Sequence, residues 1–151
     1  LYFEDKLTMQ YQIQEMLRIE RIFEPEAIQE ELDVYNPLIP DGNNWKASFM
    51  LEYPDLEERR QALARLVGIE NRVWMQVEGY DKVYPIANED LDRSTPDKTA
   101  SVHFMRFELT PAMVSAVKEG ASIRAGIDHP EYRVEVVVPQ NVRDSLAADL
   151  A

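Results

Sequence analysis

The sequence predicts an α+β domain, a mainly antiparallel sheet of about six strands with helices packed on it. Three observations predict it. Residues 45–53 and 73–78 alternate between two faces with a period of two, and 101–109 and 132–138 read as further strands. Residues 6–23, 25–36 and 54–67 place apolar side chains at helical spacing. Turn residues at 79–81 and 128–130 join neighbouring strand segments over short distances, which favours antiparallel pairing over helical crossovers.

Taken in order, Leu1-Tyr2-Phe3 is apolar and stops at Glu4-Asp5, and it reads as the end of a strand whose earlier part is missing from this chain. Residues 6–23 hold no Gly or Pro and read as a helix capped by Asp5 or Thr8, with Met9, Ile13, Met16 and Leu17 on one stripe and Phe23 near it. Pro25 suits the first turn of a second helix, where its missing N–H does no harm. There Ile28, Leu32 and Tyr35 point inward, and Glu26, Glu30, Glu31 and Asp33 point outward.

The turn at 40–44 leads into a strand whose inner face is Trp45, Ala47, Phe49, Leu51 and Tyr53. A helix over 54–67 then turns Leu56, Leu63, Leu66 and Val67 inward and stops at Gly68. Residues 73–78 and 82–87 read as a hairpin about Gly79-Tyr80-Asp81, and 88–98 as a surface loop. After the strand 101–109, Pro111 opens a helix that stops at Gly120. Residues 121–127 and 132–138 form a hairpin around Asp128-His129-Pro130, and Asn141 caps a last helix running to Leu150.

Composition narrows the function. The chain has 151 residues, no cysteine, two histidines, five glycines and a formal charge of −12. Without a thiolate it can carry neither an iron–sulfur cluster nor a cysteine nucleophile. The negative charge argues against a nucleic-acid partner. No apolar run is long enough for a membrane-spanning helix. The length suits one domain, and self-association as a homodimer stays open. Neither G-x-x-x-x-G-K-[ST], nor G-x-G-x-x-G, nor G-x-S-x-G occurs.

Two constellations carry chemistry. In the strand 101–109, His103 begins a row continued by Met105, Phe107 and Leu109, while Arg106 and Glu108 follow Val102 and Phe104 on the other face. A histidine in a cleft beside a carboxylate is a candidate base or metal ligand; at the edge of a core it is an ordinary hydrogen-bonded side chain. On the first helix, Tyr11, Gln14, Glu15 and Arg18 lie within one or two turns of one another. Either they form a solvated face of ion pairs, or they line a ligand site against the sheet. In the second case His103 and Glu15 are the catalytic or metal-binding candidates, and Tyr11, Gln14, Arg18, Arg106 and Glu108 bind the ligand. The six carboxylates from Glu20 to Asp33, with Glu15 just upstream, lack the pattern of a calcium loop. They suit a solvated face or a docking surface for a basic partner.

Three tracts are more distinctive: 3–21, Glu30-Glu31-Leu32-Asp33-Val34-Tyr35-Asn36-Pro37-Leu38-Ile39-Pro40-Asp41-Gly42, and Val102-His103-Phe104-Met105-Arg106-Phe107-Glu108-Leu109-Thr110. Together they resemble a bacterial domain-of-unknown-function family, number 3501, over nearly the whole chain. Members are typically encoded beside a rubrerythrin-like protein and an iron–sulfur oxidoreductase. The resemblance therefore implies a cytoplasmic accessory or docking role near peroxide reduction or electron transfer, with those two proteins as partners. It leaves any cofactor unknown, and it places an N-terminal segment upstream of Leu1. The alternatives are a small-ligand- or metal-dependent enzyme with its site between the first helix and the sheet, and a purely structural interaction domain.

Overall fold

A computed structural model describes residues 1–89, 95 and 97–151. Part of the expected loop 88–98 lies outside these residues. Among them are five α-helices and seven strands, and every strand pair is antiparallel. The α+β expectation holds, with the strands divided between two sheets. The first contains β1 (Tyr2–Glu4), β2 (Asn44–Met50), β5 (Val102–Glu108) and β4 (Ile86–Ala87), in that spatial order. The second is β3 (Val73–Val77), β6 (Ile123–His129) and β7 (Tyr132–Val137).

One core joins both sheets. Trp45, Phe49 and Phe107 from the first pack with Met75 and Ile123 from the second. Helices α3 (Leu56–Arg65), α4 (Pro111–Lys118) and α5 (Gln140–Ala148) close this core with Ala62, Val117 and Leu146. The Trp45 indole N–H finds the Leu146 carbonyl at 3.0 Å, so this buried ring leaves no polar atom unsatisfied.

Helices α1 (Lys6–Ile19) and α2 (Pro25–Tyr35) lie on the other face of the first sheet. Asp5 caps α1 through a reciprocal pair: Thr8 N–H to Asp5 Oδ1 at 2.8 Å and Asp5 N–H to Thr8 Oγ1 at 2.9 Å. Thr8 Oγ1 also donates to Glu4, whose other oxygen accepts from Ser48 on β2. This relay fixes the start of α1 to the sheet.

Several expectations need correction. The first helix ends at Ile19, not 23, because Arg21 adopts a left-handed φ of 53° and the Ile22 N–H returns to the Leu17 carbonyl at 2.9 Å. That is a Schellman stop made without glycine. Phe23 therefore leaves the apolar stripe and is 81% exposed. Leu56 opens α3 facing solvent, and Ala62 takes the fully buried place. The expected hairpin 73–87 is reduced to one bridge, Met75 to Val83. Pro85 has no N–H to continue that ladder, and the chain crosses instead to pair β4 with β5. His129 is not a turn residue. It ends β6, buried, with Nε2 at 2.9 Å from the Val67 carbonyl. The last helix has Pro139, not Asn141, at its cap.

Candidate functional site

The outer face of the first sheet carries Lys46, Ser48 and Met50 from β2 and Val102, Phe104, Arg106 and Glu108 from β5. Apolar residues on both faces of β5 mark a strand that needs cover on both sides. The cover is incomplete. α2 buries none of its residues, and α1 buries Met9 and Ile13. Its Gln12 amide reaches Tyr35 Oη of α2 only at 3.5 Å.

A trough remains beneath this helical hairpin. One end is a cavity of about 740 Å³, lined by Leu7, Tyr11, Tyr35, Met50, Val102 and Phe104 among others. The other, of about 610 Å³, is lined by Val34, Tyr35, Leu38, Lys46, Phe104 and Arg106 among others. Tyr35, Leu38 and Phe104 belong to both, so the two cavities are ends of one trough. Its first end is apolar and its second is charged. Leu7, Tyr11 and Val34 on its rim are each more than 60% exposed.

At the charged end, Arg106 donates to Glu89 through Nε at 3.0 Å and Nη2 at 2.6 Å, and through Nη1 to Glu108. Glu108 also accepts from the Asn44 amide at 3.1 Å. The hydrogen bonds from Arg106 hold the Glu89 carboxyl below its usual range, and the two carboxylates raise the guanidinium above its own. Lys46 Nζ donates to the Pro37 carbonyl at 2.5 Å and lies 3.4 Å from Asp41. Both cations are thus already engaged by protein oxygens. An incoming anion must compete with Glu89 for Arg106.

Of the residues singled out from the sequence, the structure brings Tyr11, Arg106 and Glu108 to this outer face. Gln14 lines a separate cavity of about 210 Å³ beside Ile13 and Leu32. Glu15 and Arg18 pair with each other at 2.7 Å, away from the trough lining, and this bond lowers the Glu15 pKa. His103 stands apart, on the core face of β5 opposite Phe49. Glu15 and His103, considered together as metal ligands, therefore lie on opposite sides of the sheet. Among the described residues, no group of three or more His, Cys, Asp or Glu side chains is placed to hold a metal ion.

His103 is fully buried in a polar network. Nε2 lies 2.9 Å from both the Ala100 carbonyl and Thr99 Oγ1. A carbonyl only accepts, so Nε2 carries a proton. Nδ1 lies 2.9 Å from the Asn88 amide nitrogen, which fits an acceptor there. Asn88 reaches it from a left-handed turn (φ 57°) just after β4. Thr99 Oγ1 also lies 3.2 Å from the buried carboxylate of Glu70. The network thus joins β5 to the segments on either side of the 90–94 stretch. Sequence reasoning missed Glu70, Asn88 and Thr99 because each looks like an ordinary surface residue in its local window. It also missed Lys46, Tyr35 and Phe104 as trough residues, although the aromatic on the outer face of the strand 101–109 was the available signal.

A family model described as a protein of unknown function, DUF3501, matches residues 1–150. The chain belongs to the DUF3501 family. A crystal structure at 1.90 Å of a novel protein of unknown function from Burkholderia pseudomallei K96243 is similar to it throughout. The TM-score is 0.92 and the identity 52%, over 99% of this chain and 78% of that one. The comparison with curated proteins returns no match. Among the described residues, no helix of this DUF3501 chain is long and apolar enough to cross a membrane.

Proposed function

We propose that this DUF3501 protein is an accessory factor that docks a partner segment in the trough beneath α1 and α2. The observation that carries this reading is the mismatch between α2 and its surroundings. The helix covers the trough yet buries none of its own residues; it places Asp33 at the charged end and exposes Glu26 and Glu30 further along its length. A segment with apolar anchors and flanking basic residues fits both features. The partners that the family resemblance suggests are a rubrerythrin-like protein and an iron–sulfur oxidoreductase, in a cytoplasmic peroxide-detoxification or electron-transfer system. The cysteine-free chain would then assist the redox centres without holding an iron–sulfur cluster itself.

Co-expression of all three proteins and affinity capture of this chain tests the reading. Either partner is expected in the captured fraction at low salt, with less of it as ionic strength rises. Capture of neither partner at low salt contradicts it.

A second reading rests on the cavity volumes, which lie in the range of small-molecule sites. There the trough holds a small ligand with an apolar body and an acidic end directed at Arg106 and Lys46. Tyr11 and Arg106, which line the trough, serve such a site better than Glu15, Arg18 or His103. Native mass spectrometry of the purified chain distinguishes it, because a retained small molecule appears as added mass.

A further inference from the structure

Among the described residues, the free edge of the second sheet is the other exposed surface of note. β7 is an edge strand in which all six residues, Tyr132–Val137, are exposed. It carries Tyr132, Val134, Val136 and Val137 and has neither Pro nor Lys, which ordinarily block strand addition; its charges are one Arg and one Glu, Arg133 and Glu135.

The direction of its free hydrogen-bonding groups follows from the register. The Val138 N–H donates to the Ile123 carbonyl at 2.9 Å, and Asp128 N–H on β6 turns the other way, to Arg72, also at 2.9 Å. Antiparallel pairs alternate, so Val134 and Val136 bond to β6. Arg133, Glu135 and Val137 then present their N–H and C=O groups outward.

We propose that this edge pairs with β7 of a second copy of the chain, about a two-fold axis through Val134. Three registers align outward groups with outward groups near the strand centre. Centring on position 133 sets Arg133 against Arg133, and centring on 135 sets Glu135 against Glu135; both oppose like charges. Centring on Val134 sets Arg133 against Glu135 of the second copy, twice by symmetry. The same register places Val134 against Val134 and Tyr132 against Val136, an apolar row on the opposite face. Hydrogen-bond direction narrows the registers to three and charge selects one of them, an isologous six-stranded sheet, with which the apolar row agrees.

The absence of cysteine makes the register directly measurable. Val134 would form a non-hydrogen-bonded pair with its symmetry mate, with Cα atoms about 4.5 Å apart, a separation that a disulfide spans. Under mild oxidation V134C is expected to give a covalent dimer. V136C, whose symmetry mate lies four residues away, roughly 13 Å along the strand, is expected to stay monomeric on a denaturing gel. E135P removes an outward N–H and leaves the backbone ladder to β6 intact, while also removing the Arg124–Glu135 ion pair between β6 and β7. It should shift the mass in light scattering from twice 17.5 kDa to 17.5 kDa with the circular dichroism unchanged. A wild-type monomer, equal cross-linking of V136C and V134C, or a dimer that survives E135P would overturn the proposal. The last result would place the dimer contact elsewhere, on the trough or another face.

Discussion

Glu89 and Arg106 form a two-pronged ion pair, 3.0 Å from Nε to Oε2 and 2.6 Å from Nη2 to Oε1. The pair ties the segment after β4 to the outer face of β5 and sets the charged end of the trough. The folded state holds Glu89 below its ordinary 4.5, so it binds fewer protons there than the unfolded state does. Its stabilisation is complete above that value and fades as pH falls through the folded pKa. E89Q is expected to lower stability at pH 7 by about 1 kcal/mol at most, because the half-exposed carboxylate is screened by solvent. Thermal melts of wild type and E89Q should converge in acid. A difference that stays constant down to pH 3 contradicts this assignment.

Asp149 behaves in the opposite sense. Burial, and the nearby charge of Asp5, push its carboxyl up to about 6 from 3.8. Between those values the folded state holds a proton that the unfolded state has released, so this group's contribution falls as pH rises through the window. It also sits at the C-terminal cap of α5, where a negative charge opposes the helix dipole. D149N should therefore raise the melting temperature at pH 7 and change little at the acid end. Equal effects at both ends of the window would show that the ionised carboxylate is not the destabilising group.

The buried network around His103 predicts a large loss on truncation. H103A removes the partner of Asn88, Thr99 and the Ala100 carbonyl and opens space beside Phe49. The expected cost is about 3 kcal/mol in urea denaturation. A loss below about 1 kcal/mol would show that His103 is not a structural keystone of β5.

Gly126 illustrates close approach rather than an unusual turn. It lies opposite Trp74 in the β3–β6 register, and a β-carbon there would collide with the indole ring and the Val134 carbonyl. Lys82 Nζ stacks on the same indole, 4.4 Å from its centroid. G126A should cost about 1–3 kcal/mol through displacement of Trp74, measurable as a lowered urea midpoint with altered tryptophan emission. An unchanged midpoint contradicts this packing.

Much of the fold was legible because period-two alternation is local. Trp45, Ala47 and Phe49, and His103, Met105 and Phe107, lie on the core faces that their spacing assigns. The misread positions depend on information outside a local window. Arg21 stops α1 in a backbone conformation usually signalled by glycine. Residues 82–87 look like the return of a hairpin, but after the Met75–Val83 bridge Ile86 and Ala87 join the other sheet, a choice made by tertiary pairing. The candidate site was legible only in part. Arg106 and Glu108 stood out as charges beside an aromatic on β5. Tyr35 and Lys46 lie outside the strand 101–109 and join it in lining the trough only once α2 folds over the sheet. The Glu15–Arg18 pair satisfies its spacing and remains on the helix surface, which spacing alone does not distinguish from a pocket wall.

The central claim is that a partner segment docks in the trough through its apolar rim, and calorimetric titration of each purified redox partner tests it most directly. Tyr11 and Val34 are exposed on opposite ends of that rim, so Y11E and V34E should leave the fold intact. The expected result is binding by wild type that weakens with salt, and at least a tenfold loss of affinity in each variant, about 1.4 kcal/mol. Binding that is the same in wild type, Y11E and V34E, or no binding of either partner at low salt, would contradict it.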